Sequence, residues 1–537
     1  MATPPFTRRR PGRMETDRRT DLFRSIGSNW AVAALQIVVL VQLTPVQVHA
    51  LGASAQGAWL TVASLTSVLG LLALGVPMAS VRFIAGHVAR REIEEANRAI
   101  AACFSIYLAL GVAVGAAGAA LSVFFEHAYL RSPAWQALGP AVIREARIAV
   151  WLSVAHVALG FVAQLPFGVL DAHEAFVARN GIKIGGLLLR SALVAGVLRA
   201  APSLVVVGLI QIAVTAAELA LAILVIRRSF PAVRFGLRGV DRGRLREILG
   251  FSLFAMLLNT GIQLSFQCDQ LVIGRFLPPE EGTLFDVGNK FFPALLGVIL
   301  GIGSVVMPAA TRLSAEGDRR ALRAVFLKWS KVAYSLALLV GAYLLVLAPE
   351  LLAAWMGPDF AAPSGRVARV LMVAFLFFLP VRGVASPMLM GLGRAAPTSL
   401  AFLAMGVANV ALSLLLVRRL GIVGVAVGTA VPCAGFAVLV AWLACVEVGV
   451  PFGDYLRYVV ARPTLGILPP ALPLLLLKHS AHVFDLAAPR AVILARLFAT
   501  GVAMTALFAV TWILFVYRDD PYLDLFARLS RRLATVR

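Results

Sequence analysis

Amide side chains recur inside stretches that are otherwise apolar. Between Ser252 and Gln270, the residues Ser252, Asn259, Gln263, Gln267 and Gln270 fall within about 80° of one another at ~100° per helical residue. Earlier in the chain Asn29, Gln36, Thr44 and Gln47 make a second stripe of about the same width. Uncharged amides and hydroxyls exchange hydrogen bonds with water and with other polar groups. The expectation is that both stripes line one hydrated substrate cavity; the plainer alternative is hydrogen bonding between helices. Asp269 lies about 115° from the middle of its stripe and ~32 Å along the axis from Ile248. That placement suits an outer-gate contact with Arg275 or Lys290 better than the substrate site.

Charges inside apolar runs are costly and mark function or pairing. Arg190 and Glu218 stand at matching depths in neighbouring spans, so they read either as an ion pair or as an ion-coupling site centred on Glu218. Arg382, bracketed by Pro380 and Pro387, has no acid at its depth; it either faces the cavity and holds an anion or snorkels to the interface. Arg82 and Arg312 end two equivalent spans, as topology anchors or as a phosphate-catching rim. The four cysteines lie in apolar stretches without metal-ligand spacing, so neither metal nor disulfide framework is expected. No cofactor is expected beyond a coupling Na⁺ or H⁺.

The elements that carry these residues must be membrane helices. The 537 residues are 60% hydrophobic and 14% charged, and many apolar runs reach the length that crosses a bilayer. Fourteen spans are expected, near 27–49, 57–81, 99–125, 147–170, 182–200, 203–226, 248–275, 284–309, 330–349, 367–391, 396–417, 421–446, 457–477 and 491–516. The net charge of +22 raises nucleic acid as a partner, but the basic residues alternate from side to side as in membrane topology, so no nucleic acid is expected. Of 49 Lys and Arg, 34 fall on the side of the termini and 12 opposite, which puts both termini in the cytoplasm. No loop on the opposite side is long enough to hold a domain.

Spans 2 and 8 share a pattern, LLALGVPMASVRF and ILGIGSVVMPAATRL, each followed by a basic loop. The fold class that follows is all-α and polytopic: two six-helix lobes in a parallel, pseudo-twofold repeat around a central cavity, plus two extra helices. The expected organisation is a basic disordered arm at 1–24, an N-terminal lobe at 25–228 and a linker at 229–247. A C-terminal lobe at 248–447, extra spans at 448–517 and a basic tail at 518–537 complete it.

The segment FQCDQLVIGRFLPPEEGTLFDVGNKFFPALLGVILGIGSVVMPAATRLSAEGDRRAL resembles the start of the second lobe in prokaryotic polysaccharide flippases. LGASAQGAWLTVASLTSVLGLLALGVPMASVRFIA agrees in the first lobe, as do VLAPELLAAWMGPDF, MLMGLGRAAPTSL and LGIVGVAVGTAV further on. The likeness covers about residues 22–450. These flippases belong to the multidrug/oligosaccharidyl-lipid/polysaccharide exporter superfamily. The resemblance implies two bundles around a cavity and alternating access in the bacterial inner membrane. It implies as partners an anionic undecaprenyl-(pyro)phosphate-linked oligosaccharide, membrane lipids and other polysaccharide assembly proteins. It also implies drive from a Na⁺ or H⁺ gradient or from the membrane potential. A cation-coupled multidrug antiporter and a lipid II flippase are the alternatives within the superfamily. The cation-rich set of span charges favours an anionic substrate over organic cations, and GSNWAVAALQ lacks the charged signature of the lipid II flippase in span 1. A membrane glycosyltransferase or polymerase is the alternative from another class, and nothing like a clustered set of carboxylates supports it.

Overall fold

The computed structural model describes residues 35–73, 75–237, 240, 242–479 and 488–523, with side chains except at 242, 244, 247 and 249–259. The expected arm, Asn29, the side chain of Asn259 and most of the basic tail lie outside the described residues. In chain order the main helices begin with α1 (Leu35–Leu51), α2 (Ala53–Ser67), α3 (Val76–Ala89) and α4 (Ile93–Phe125). Next come α5 (Gly139–Ala172), α6 (Phe176–Leu193), α7 (Leu204–Ser229), α8 (Arg242–Phe276), α9 (Pro279–Asn289) and α10 (Phe291–Ala315). The rest are α11 (Arg319–Met356), α12 (Ala361–Pro380), α13 (Ser386–Gly391), α14 (Ala395–Val448), α15 (Arg462–His479) and α16 (Arg490–Thr511).

Every regular element among the described residues is helical, as a lipid environment requires of a chain that is not a closed barrel. Eleven helical segments there are long and apolar enough to cross a membrane, so the protein is a multi-pass membrane protein. One of them, α14, holds two of the expected spans. Its 54 residues bend at Gly421, whose φ of 60° and ψ of −141° suit a residue without Cβ. α1 and α8 stand where spans 1 and 7 are expected. Span 2 is not one helix. A 3-10 stretch at Val68–Ala73 follows α2, and Gly75, at φ 75°, opens α3 just before Pro77. Span 8 starts earlier than expected, as α9, and turns at Lys290 into α10.

The described residues form two compact units, one of 35–52, 69–126 and 140–256, the other of 53–68, 127–139 and 257–523. The first contains α3 to α7 with α1. Its tightest helix contacts use small residues: Gly118 faces Val154, and Gly208 faces Leu152. The second is built around α11 and α12, whose inward faces are nearly continuous apolar surface. Phe266, Phe292, Phe375, Phe378, Phe402 and Phe436 stack through its centre, with ring centroids as close as 4.1 Å between Phe292 and Phe375.

Segments 53–68 and 127–139, read from sequence as part of the first lobe, pack within this second unit. Gly57 lets α2 lie against the Pro279 carbonyl, and the Thr283 hydroxyl donates to the Ala53 carbonyl at 2.7 Å. Buried Trp135 donates its indole N–H to the Gly274 carbonyl at 2.8 Å. The two extra helices are fastened to α11 at both ends. At one end the Lys331 ammonium donates to Asp520 at 2.5 Å and to the Val516 carbonyl at 2.8 Å. At the other, Lys478 pairs with Glu350 at 2.9 Å.

Candidate functional site

The amide face of α8 is used differently along its length. Gln263 donates to the Ser67 carbonyl at 3.2 Å, and Gln267 is half-buried. Gln270 is buried and donates to the Gly282 carbonyl at 3.0 Å, so it ties α8 to α9 instead of facing an open cavity. In α1, Gln36 is exposed and Gln47 half-buried, while Thr44 turns its hydroxyl back onto the Leu40 carbonyl at 2.8 Å.

Asp269 does not pair with Arg275 or Lys290. It is buried, and the Thr429 hydroxyl stands 2.8 Å from its Oδ2. Lys290 is taken by Asp286 one turn back, at 2.7 Å, and the Arg275 guanidinium lies 5.6 Å from the Phe276 ring centroid. The reason is the register of α14 against α8. Gly261 and Gly406 let the two helices meet almost backbone to backbone, which brings both halves of α14 to Asp269. Asn409 from the first half donates to the Ser265 carbonyl at 2.9 Å and to the Thr429 hydroxyl at 3.0 Å. Ser413, one turn on, donates to Asn409 Oδ1 at 3.4 Å. The second half supplies Thr429, whose hydroxyl also reaches the Val425 carbonyl at 3.1 Å.

One oxygen of this carboxylate, Oδ1, is buried without a hydrogen-bond partner among the described residues. An unmet buried carboxylate oxygen is expensive and calls for a proton or a cation. The oxygens gathered here are those of Asp269, the Thr429 hydroxyl and the Val425 carbonyl, while Asn409 turns its Nδ2 towards Thr429 and its Oδ1 to Ser413. That set fits a hard monovalent cation and not a soft transition metal. Among the described residues no group of three or more His, Cys, Asp or Glu is placed to hold a metal ion. Asn409 with Ser413, and Val425 with Thr429, sit four residues apart, so the stripe argument applied to α8 could have found them in α14.

Glu218 is paired, but with Lys183 and not with Arg190. Lys183 Nζ lies 2.7 Å from Glu218 Oε2 and 4.1 Å from the Phe167 ring centroid. Lys183 is one turn nearer the start of α6 than Gly186, and the absent side chain at Gly186 leaves the slot in which the carboxylate lies. Arg190, on the same face, is within the electrostatic reach of Glu218 and of His156.

Arg382 sits on a π-helical turn, Val381–Ala385. Pro387 lacks the N–H that would bond the Gly383 carbonyl, and Gly303 of α10 comes up against that carbonyl. The guanidinium lies 5.1 Å from the Phe402 ring centroid, and among the described residues no acid pairs with it. Arg82 lines a cavity of about 380 Å³ with Phe83, Gly86, His87, Arg90, Ala99 and Ile248. Arg312 is exposed and only loosely paired with Glu316, at 3.9 Å. The arginines of the expected rim are thus differently placed within their own units.

A family model described as polysaccharide biosynthesis protein matches residues 22–314, just over half of the chain. No curated protein matches the chain. Among solved structures, the lipid II flippase MurJ in an inward closed conformation aligns with a TM-score of 0.67 at 11% identity, over 91% of this chain and 99% of that one. An inward-facing multidrug resistance MATE family transporter of the MOP superfamily aligns at 0.64 and 16% identity, over 79% and 98%. A MOP superfamily transporter from Pyrococcus furiosus, described as having a binding pocket of reverse polarity, aligns at 0.52 and 17% identity, over 77% and 95%. At these identities the alignments establish a shared fold, the one expected from the sequence.

Proposed function

This chain belongs to the polysaccharide biosynthesis protein family, a flippase-type branch of the MOP transporters, and from that premise we propose that it flips an undecaprenyl-(pyro)phosphate-linked oligosaccharide across the bacterial inner membrane. The family match carries this reading. Arg382 supports it, because a guanidinium without a carboxylate partner suits a phosphate-bearing ligand better than an organic cation. The charge asymmetry supports a reading in which both termini are cytoplasmic. Membrane lipids and other polysaccharide assembly proteins are its partners.

In this reading transport proceeds by alternating access driven by a Na⁺ or H⁺ gradient. Asp269, Thr429 and the Val425 carbonyl would hold the coupling ion, whose contribution is to neutralise the carboxylate. Asp269 Oδ1 is the free acceptor there, and Thr429 and Asn409 hold Oδ2 and the local backbone in place.

Deleting the gene tests the proposal: isoprenoid-linked oligosaccharide should build up on the cytoplasmic face. No build-up, together with new dye sensitivity, would replace the flippase by a multidrug antiporter. Arg382→Ala should impair transport at unchanged expression; full activity would remove it from the substrate site.

A further inference from the structure

The polar seam between α6 and α7 has a charge balance that a structural ion pair does not explain. Lys183, Gly186 and Arg190 lie at i, i+3 and i+7 on one face of α6. Gln211, Thr215 and Glu218 lie at i, i+4 and i+7 on one face of α7. The groups that face Glu218 across the seam are Lys183 and Arg190 from α6, with His156 of α5 beyond them. His156 is engaged with Thr215, its Nδ1 standing 3.3 Å from the hydroxyl. Asp171 is engaged elsewhere, with Arg179 at 3.2 Å. Two permanent cations therefore face one carboxylate.

Glu218 is the more enclosed partner, with 14% of its side chain exposed against 40% for Lys183. The ammonium has three donors, of which the carboxylate takes one. Arg190 makes no hydrogen bond among the described residues and meets Glu218 only through the charge it shares with Lys183, and a guanidinium in a membrane segment is costly unless it is paired. The seam is one negative charge short, and Lys and Arg together are the usual means of holding a phosphate.

We propose that Lys183 and Arg190 are a phosphate-binding pair for an isoprenoid-linked (pyro)phosphate, and that Glu218 is the resident counter-ion which the phosphate displaces. The inference rests on the flippase reading and names where the ligand's phosphate is held in the first unit. On exchange, the phosphate oxygens take the hydrogen bonds of the ammonium and guanidinium. On departure of the phosphate the Lys183–Glu218 pair re-forms. Gly186 is a positioning residue, because its missing side chain lets the carboxylate lie against α6.

The test uses the full chain in nanodiscs and farnesyl pyrophosphate as the probe, with farnesol and inorganic pyrophosphate as controls. Glu218→Gln, which removes the competing carboxylate, should bind the probe more tightly than wild type. Lys183→Gln should weaken binding by roughly 10-fold or more, as expected for a charge-assisted contact, and Lys183→Arg should restore most of it. Size-exclusion profiles of each variant check folding, and Glu218→Gln is isosteric. The proposal is overturned if Glu218→Gln binds no more tightly than wild type, if Lys183→Gln and Arg190→Gln bind as wild type does, or if farnesol binds equally well. Inorganic pyrophosphate bound as tightly as the lipid, and more tightly still by Glu218→Gln, would support the exchange while counting against the flippase reading. Accumulation in the deletion strain with unaffected variants would do the reverse.

Discussion

Replacing Lys331 by Met is the sharpest test of how spans 13 and 14 are attached. Lys331 and Asp520 have no exposed side-chain surface. The ammonium donates to Asp520 and to the Val516 carbonyl, and lies 4.4 Å from the Tyr458 ring centroid and 4.7 Å from that of Tyr517. Methionine fills most of the same volume but leaves Asp520 a buried charge. It would be held only by the Tyr458 hydroxyl at 2.7 Å and the amides of Tyr522 and Leu523 at 3.0 Å. Removing one partner of a buried pair costs about 3–5 kcal/mol, whereas removing both charges leaves no orphan and costs far less. Lys331→Met should therefore lower the unfolding midpoint of the detergent-solubilised chain by several degrees. Lys331→Met/Asp520→Asn should recover most of that loss, a coupling of roughly 2–3 kcal/mol. Cys103, Cys433 and Cys445 are buried, so a thiol-reactive dye reports the transition without a label. A midpoint unchanged in Lys331→Met, or effects of the two single substitutions that simply add, would refute the argument.

Three further outcomes are expected. Burial alone would push the Asp520 carboxyl up. The hydrogen bonds from Lys331, Tyr458 and the Tyr522 amide outweigh burial and hold it below the usual carboxylate range. Its folded value is thus depressed, so its contribution to stability is present above the unfolded carboxylate value of about 3.9 and is lost as pH falls through the folded one. Acid melts of wild type and Asp520→Asn should converge there; parallel curves would show that Asp520 carries no linkage. Gly57→Ala drives a methyl group into the Pro279 carbonyl and should cost about 1–3 kcal/mol, read as a lower melting midpoint. Thr429→Val keeps the shape at Asp269 but deletes the hydroxyl that meets it. Transport in vesicles should then need a steeper Na⁺ or H⁺ gradient, and an unchanged gradient dependence would remove the cluster from coupling.

Much of the fold was legible before any coordinates. The apolar runs marked the helices, and Arg418–Leu420 marked the break that Gly421 makes in α14. Interruptions inside runs were less legible. Span 2 is apolar throughout, and only Gly75 with Pro77 hints that it changes helix type. The candidate site was legible one helix at a time. Periodicity puts the α8 amides on one face, but a face does not say whether water or another helix meets it, and for Gln270 it is the Gly282 carbonyl.

The sequence by itself determined that the chain is a polytopic helical membrane protein and which residues share a helical face. Both follow from local rules: lipid leaves backbone groups no partner but one another, and the 3.6-residue period is a property of a single helix. Only the tertiary structure decided which charges and amides meet. Glu218 chose between two cations on the same face of α6, separated by two turns, and the slot at Gly186 set the outcome. Asp269 found Thr429 at a separation of 160 residues, because glycines in α8 and α14 set how closely and in what register those helices pack. Partner identity depends on such contacts between helices, and no periodicity within one helix encodes them.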